Sequence, residues 1–247
     1  MTPKLLIFTT VNGRYRVYAD LFTFCCKRAY SDYEVLVTSL PERKEPYYSA
    51  CFRFLMQPCV VEADVYITDV DMMICPEKVS IQDFHREEIR QSGLCYSNSP
   101  RWKEPHGENR LTGLHYVTSE WWKETIKQRK IEYGKLVNGK IGNCKCDDEM
   151  MLMRIVKESG LPVAKYGPLI NRHHGIHLGT IRDYAGGTLQ TKKVVLRQRI
   201  DKERAWYWCN LIDTEDYRKL FAEIQKQDKQ ATYELKELEK FVRMAWK

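Results

Sequence analysis

The fold of this 247-residue chain is constrained most by three near-continuous apolar runs. Segments in which apolar residues recur at helical spacing separate these runs. The runs cover residues 4–10, 33–38 and 65–74. Between them, apolar residues recur at helical spacing over 14–30 and again over 48–55, which predicts two helices. Strands that are apolar on both faces are typical of a parallel sheet covered by helices. The sequence therefore predicts an α/β fold with a mostly parallel, Rossmann-like sheet flanked by helices.

Two aspartates interrupt the third apolar run, which reads VYITDVDMMI. Residues two positions apart on an extended chain point to the same side, so Asp69 and Asp71 are expected side by side. Neighbouring carboxylates repel each other, and a divalent cation between them removes the repulsion. Mg²⁺ and Mn²⁺ take carboxylate oxygens together with substrate phosphates, and ligands of such sheets bind outside the carboxyl ends of the strands. We therefore expect a metal site here, with a solvated strand end as the alternative.

A histidine cluster offers a further ligand for this site. Three of the six histidines, His173, His174 and His177, lie within five residues. A neutral imidazole is a good ligand for Mn²⁺ and could complete a site that already holds two carboxylates. The alternative for each histidine is a structural role with its ring nitrogens hydrogen-bonded.

Charge and composition restrict the ligand class and the location. The formal net charge is +7, which suits an anionic ligand such as a nucleotide or a phosphate. Nine cysteines without regular spacing predict reduced thiols rather than a disulfide framework. No apolar run approaches the roughly 20 residues that span a bilayer, and the apolar N-terminal segment is too short for a signal peptide. We expect a cytoplasmic protein with no membrane span.

The C-terminal segment differs from the rest of the chain. Residues 214–247 contain no glycine or proline, and apolar residues recur there every seven positions. This pattern predicts one long amphipathic helix or a helix pair. We therefore expect a catalytic domain over 1–213 and a helical extension over 214–247 packed on it, in a monomer or a weak homodimer.

Taken in order, the motifs resemble the GT-A glycosyltransferases, which use nucleotide sugars and carry an Asp-x-Asp metal motif. The resemblance covers about 180 residues, and its Asp-x-Asp context and late His-Leu-Gly are its most specific parts. The matching segments are IFTTVN at 7–12, FRFL at 52–55, YITDVDMMI at 66–74, LTGLHYV at 111–117, CDDEMML at 146–152 and GIHLG at 175–179.

The resemblance implies a donor-binding role for several residues. In that family the end of the first strand and the next loop hold the base and the ribose; here these are Thr9, Thr10, Val11, Asn12 and Tyr15. An arginine ahead of the metal strand approaches the nucleotide or its diphosphate, which implies Arg53. Gly113 would let the donor sugar approach the backbone, with a strand bulge as the alternative. Val70 and Gly179 complete the implied donor-binding set.

The resemblance also implies the metal ligands and the catalytic residues. Asp69 would reach the ribose or sugar and join the metal, Asp71 would bind the metal, and His177 would be the late ligand. Branches of the family with this ligand often have one more residue between the histidine and the glycine, followed by Lys-Pro-Trp. This chain instead continues with Thr180-Ile181-Arg182. Asp148 is implied as the general base, with Asp147 as second choice and with helix capping as the alternative for both.

The implied function is transfer of a sugar from a nucleoside-diphosphate sugar to a hydroxyl of a glycan or other acceptor. UDP-sugar is the family's commoner donor, with Mn²⁺ or Mg²⁺ on the diphosphate; nucleic acid is not expected as a partner. The residues leave the stereochemistry open, and in a retaining enzyme Asp148 would position donor or acceptor. Two alternatives stay open as well: a metal-dependent nuclease or phosphohydrolase with the same Asp and His cluster, and a non-enzymatic basic binding module.

Overall fold

A computed structural model describes residues 5–58, 63–101, 109–163, 174–183 and 201–246. His173 and the basic stretch 192–199, a further candidate for diphosphate binding, lie outside these residues. The eight described cysteines are free thiols. Among the described residues, every helix is too short or too polar to cross a bilayer.

The strands are short, and most of them are buried. Their bounds are β1 Leu6–Val11, β2 Glu34–Ser39, β3 Val65–Ile67, β4 Met72–Ile74, β5 Tyr96–Ser97, β6 Pro100–Arg101, β7 Arg110–Leu111, β8 His115–Val117 and β9 Gly175–His177.

Helices connect these strands and form the C-terminal part of the chain. A 3-10 helix, Gly13–Tyr18, precedes the first α-helix. The α-helices are α1 Ala19–Ala29, α2 Tyr48–Phe52, α3 Ile81–Ser92, α4 Ser119–Glu124, α5 Ile126–Val137, α6 Asp147–Glu158, α7 Leu178–Asp183, α8 Lys202–Ile212, α9 Glu215–Gln227 and α10 Lys229–Trp246.

The central sheet has five strands in the order β2-β1-β3-β8-β5. β1 pairs in parallel with both β2 and β3, whereas β8 runs antiparallel to β3 and to β5. The predicted α/β class with a mostly parallel sheet is confirmed. The sheet is mixed rather than purely parallel because β8 enters it in the opposite direction. Two further antiparallel pairs, β4–β9 and β6–β7, each form a separate two-stranded sheet.

The described chain divides into two compact units. The first contains the five-stranded sheet, the β6–β7 pair and helices α2 to α6. The second contains the β4–β9 pair, α1 and helices α7 to α10. The predicted helix pair at the C-terminus is confirmed as α9 and α10, with Asp228 between them. The predicted domain boundary after residue 213 stays a prediction.

The core of the first unit lies between one face of the sheet and helices α2, α4 and α6. Alternate residues of β1 and β3 point into it, beginning with Leu6 and Val65. Helix α6 contributes its apolar face, including Leu152 and Ile155, which are fully buried. Gly160 lies two residues after the end of α6, and its φ of 75° suits glycine. This packing fixes the first turn of α6, which carries the implied catalytic aspartates.

A buried histidine makes the stability of this unit depend on pH. His115 on β8 is fully buried, and this burial lowers its pKa to about 3. Between pH 6.5 and about 3 the unfolded chain therefore binds a proton that the folded chain does not, so acid favours unfolding.

We predict that His115→Phe, which keeps a ring but cannot titrate, flattens the loss of stability on acidification. The difference in the free energy of unfolding between pH 7 and pH 5 should be smaller than in the original chain by up to about 2 kcal/mol. Urea unfolding at the two pH values measures it. An equal pH dependence in both proteins would contradict the assignment of a neutral, buried His115.

Candidate metal centre

The Asp-x-Asp motif lies in the connection between β3 and β4, not on one continuous strand. Ile67 ends β3, and the amide of Thr68 still donates to the carbonyl of Phe8 on β1 at 3.1 Å. The chain then turns at Val70 and Asp71 before β4 begins. The expectation that one extended strand aligns both aspartates is wrong, because the run from 65 to 74 serves two different sheets.

A short antiparallel pair sets Asp71 against His177. In the β4–β9 pair, Met72 lies opposite His177, and the amide of Leu178 donates to the carbonyl of Asp71 at 2.9 Å. The Nε2 atom of His177 lies 3.1 Å from Oδ1 of Asp71. The Asp71 carboxylate is almost completely buried, while the imidazole is partly exposed. The pairing thus holds a carboxylate and an imidazole together with one side open to solvent.

Gly179 provides the room that the His177 ring occupies. A Cβ atom at position 179 would lie 2.7 Å from Cε1 of His177, closer than real contacts allow. The ring orientation therefore depends on glycine two residues after the histidine, in the first turn of α7. The resemblance places Gly179 with the donor; its visible contact is with the proposed metal ligand.

Asp69 adds a second carboxylate from the same β3–β4 connection. One ligand atom from each of Asp69, Asp71 and His177 lies within 4.8 Å of the other two. Two carboxylates and one imidazole form a donor set that Mn²⁺ accepts, whereas Mg²⁺ prefers oxygen ligands alone. The chemistry and spacing of these donors fit one divalent cation.

Arg53 joins two carboxylates in the first unit. Its Nη1 atom donates to Asp69, and its Nη2 atom donates to Oδ2 of Asp148 at 3.0 Å. The guanidinium is buried and stacks on the Phe54 ring. Burial alone would lower the pKa of Arg53, but the charges of Asp69 and Asp148 outweigh it and raise this pKa. Arg53 therefore stays charged and fixes both acidic side chains.

Asp148 is a buried carboxyl group with an altered proton affinity. Burial raises its pKa above the usual range, and the nearby Arg53 guanidinium counters this effect only in part. A carboxylate with a raised pKa is a better proton acceptor at neutral pH than an ordinary aspartate. Its properties suit the role of general base that the resemblance implies.

Gly113 lies against this cluster. A Cβ atom there would come within 2.8 Å of Nη2 of Arg53 and 3.5 Å of Oδ2 of Asp148. The backbone is not in one continuous strand here, since β7 ends before this glycine at Leu111 and β8 begins after it at His115. Gly113 thus leaves space for Arg53 to reach Asp148.

Asp147, which precedes Asp148 in the first turn of α6, organises the loop before this helix. Oδ2 of Asp147 accepts hydrogen bonds from the amides of Gly142, Asn143 and Cys144, at 2.8 to 2.9 Å. It shapes the preceding loop and does not cap the helix. The N-cap is Cys146, in a left-handed conformation with φ 72°, so the prediction of an aspartate N-cap is wrong.

Glu149 and Arg110 are residues that the sequence did not single out. Glu149 accepts from Nη1 of Arg110 at 2.6 Å and from the amide of Gly113 at 3.3 Å. Arg101 also lies 3.4 Å from it. Glu149 therefore ties α6 to β7 and to the glycine beside Asp148. The CDDEMML motif could have indicated a role for Glu149, since three adjacent acidic residues at a helix start are more than capping requires.

The residues implied to hold the nucleotide are the last three of β1, together with Asn12 and Tyr15 after it. Oγ1 of Thr10 donates to the carbonyl of Ser49 at 2.6 Å, and Asn12 accepts from the Ser49 hydroxyl at 2.8 Å. Thr9 and Val11 are fully buried. Tyr15 lies in the 3-10 helix of the second unit, where the Arg14 guanidinium stacks on its ring. The described contacts of Thr10 and Asn12 thus fix the β1 end to α2.

His174, the other described histidine of the cluster, has a structural environment. It is fully buried, and its Nδ1 atom lies 3.0 Å from Oε2 of Glu77. Arg204 donates to the same carboxylate. Burial favours a raised pKa for Glu77, but the His174 hydrogen bond and the charges of His174 and Arg204 lower it overall. Among the described histidines of the cluster, His177 is the one that belongs to the metal group.

Comparison with protein-family models, with curated proteins and with solved structures found no match to this chain. The assignment of a function therefore rests on the geometry above and on the motifs in the sequence.

We predict that Asp147→Ala lowers the free energy of unfolding by about 1–2 kcal/mol, because three loop amides lose their acceptor. Asp147→Asn keeps one side-chain oxygen and should lose less. Urea unfolding of both variants measures the effect. If Asp147→Ala unfolds at the urea concentration of the original chain, the loop does not depend on this carboxylate.

Proposed function

We propose that this protein is a divalent-metal-dependent glycosyltransferase that uses a nucleoside-diphosphate sugar. The observation that carries the proposal is the group of Asp69, Asp71 and His177, whose ligand atoms lie within 4.8 Å of one another. Asp69 follows the carboxyl end of β3, which pairs in parallel with β1. That edge is where ligands of such sheets bind.

The donor set of carboxylate oxygens and an imidazole nitrogen is compatible with Mn²⁺, and Mn²⁺ is the ion that the resemblance implies. A bound cation would hold the diphosphate and stabilise the negative charge that it gains as the leaving group. Asp71 and His177 would be its principal ligands, since the β4–β9 pairing fixes both. Asp69 would be shared between the cation and Arg53.

Arg53 supplies a fixed positive charge beside Asp69. Its Nε atom is buried and has no hydrogen-bond partner among the described residues, although both Nη atoms are engaged. A buried donor without a partner is costly. An oxygen atom of the sugar donor would satisfy this N–H group.

Asp148 would act on the acceptor. In an inverting transfer, the acceptor oxygen forms a bond to the sugar carbon, the bond from that carbon to the diphosphate breaks, and the acceptor proton passes to Asp148. The raised pKa of Asp148 favours this proton transfer. In a retaining transfer the same carboxylate would position donor or acceptor. UDP-sugar is the donor class to test first, and the free thiols fit a cytoplasmic location.

We predict that nucleoside diphosphates and their sugars raise the melting temperature only when Mn²⁺ is present, with uridine compounds strongest. A ligand that binds the folded state alone stabilises it by mass action. A thermal-shift screen with and without Mn²⁺ measures this. If no nucleoside diphosphate stabilises the protein with metal, the transferase proposal fails.

Asp71→Asn should abolish the Mn²⁺-dependent part of that shift without changing the melting temperature in chelator by more than a few degrees. The matched control is Asp216→Asn, an exposed aspartate in the first turn of α9, which should behave as the original chain does. Calorimetric titration with Mn²⁺ confirms the cause. Unchanged Mn²⁺ affinity in Asp71→Asn would remove Asp71 from the site.

We expect Asp148→Asn to reduce sugar transfer by about 10²–10⁴-fold, because the amide cannot accept the proton. Metal-dependent binding of the nucleotide should persist, since the amide oxygen still accepts from Arg53. Mass spectrometry of the acceptor separates transfer from simple hydrolysis of the donor. Phosphate or nucleotide release that needs no sugar acceptor would instead favour a metal-dependent phosphohydrolase.

A further inference from the structure

The outward surface of α4 and α5 combines exposed apolar and basic side chains. Ile126, Ile131 and Tyr133 are between 46% and 49% exposed. They are three of the eight large apolar side chains that the described residues leave exposed, and they lie within eight positions. The opposite side of α5 is buried through Arg129, Glu132 and Leu136. Single exposed apolar residues are ordinary, but a group of three on one helix is not.

Three lysines form a row on the same outward surface. Lys123, Lys127 and Lys130 are spaced by four and three residues and are all exposed, so they lie along one side of the helical segment. None of the three has an ion-pair partner among the described residues. By contrast, Lys135 pairs with Glu132 at 2.6 Å. Like charges at this spacing repel. The exposed Glu120 and Glu124 of α4 offset part of this charge beside Lys123 and Lys127 but not beside Lys130.

We propose that this Lys/Ile face, formed by Lys123, Ile126, Lys127, Lys130 and Ile131, binds the surface of an anionic lipid bilayer. On the helix, the lysine row runs between Ile126 on one side and Ile131 on the other. The isoleucines would enter the boundary between head groups and acyl chains while the lysines contact lipid phosphates and carboxylates. Binding would be peripheral, since no described helix crosses a bilayer.

The residue types favour lipid over nucleic acid. Nucleic-acid surfaces use arginine forks and stacking aromatic rings beside their basic groups, and the Lys/Ile face has neither. The aromatic residue next to it, Tyr133, packs edge-on against Phe52, with ring centroids 6.1 Å apart. Removing branched aliphatic side chains from water into an acyl layer is favourable, whereas contact with a phosphate backbone gives little of this stabilisation. This inference rests on α4 and α5 alone and holds whether or not the chain transfers sugar.

Co-sedimentation of the full chain with lipid vesicles tests the proposal. The protein should bind phosphatidylcholine vesicles that contain phosphatidylserine, should not bind phosphatidylcholine alone, and should dissociate as salt rises. Lys127→Glu with Lys130→Glu should weaken binding by about tenfold or more. Ile126→Ser with Ile131→Ser should also weaken it while the remaining binding keeps its salt dependence.

The control is Lys219→Glu with Lys226→Glu, which makes the same charge change on two exposed lysines of α9. It should bind vesicles as the original chain does, and urea unfolding should show all variants folded. Failure of the original chain to bind anionic vesicles would overturn the proposal. So would an equal loss in the control pair, or binding to a single-stranded oligonucleotide without binding to vesicles.

Discussion

Buried negative charge is the constraint on which the proposed site depends. Asp71, Asp148 and Glu149 are each less than one tenth exposed, and a buried carboxylate is stable only with a positive or hydrogen-bonding partner. Asp148 has Arg53, Glu149 has Arg110 and the amide of Gly113, and Asp71 has the imidazole of His177. Arg53 and Arg110 are permanent cations. Of these three carboxylates, Asp71 is the one that belongs to the proposed metal group.

The same partners explain how short elements hold a site in place. The three-residue strands β4 and β9 are weak on their own, but their pairing places His177 beside Asp71 and depends on glycine at 179 for the ring position. In the first unit, Arg53 and Gly113 perform the corresponding task for Asp148, since a Cβ atom at position 113 would crowd the Nη2 atom of Arg53. Glycines beside the functional side chains are therefore as important for the geometry as the ligands themselves.

The sequence predicted the parts that depend on local pattern. The alternation of apolar runs and helices indicated the parallel β1, β2 and β3. It did not predict that the run from 65 to 74 divides into β3 and β4, because the division depends on β9, which lies a hundred residues further along the chain. The Cys146 cap was missed for a related reason: a left-handed cysteine is unfavourable locally and is stabilised by the loop that Asp147 organises. Both the division of the run and the Cys146 cap therefore depend on contacts with distant or neighbouring segments rather than on local conformational propensity.

Pulsed electron paramagnetic resonance of bound Mn²⁺ tests the central claim most directly, since it detects a nitrogen nucleus coordinated to the metal. The account predicts one tightly bound Mn²⁺ with an imidazole nitrogen coupling that disappears in His177→Gln, while Asp216→Asn retains it. The account would be contradicted if the protein bound no Mn²⁺, or if the nitrogen coupling persisted in His177→Gln.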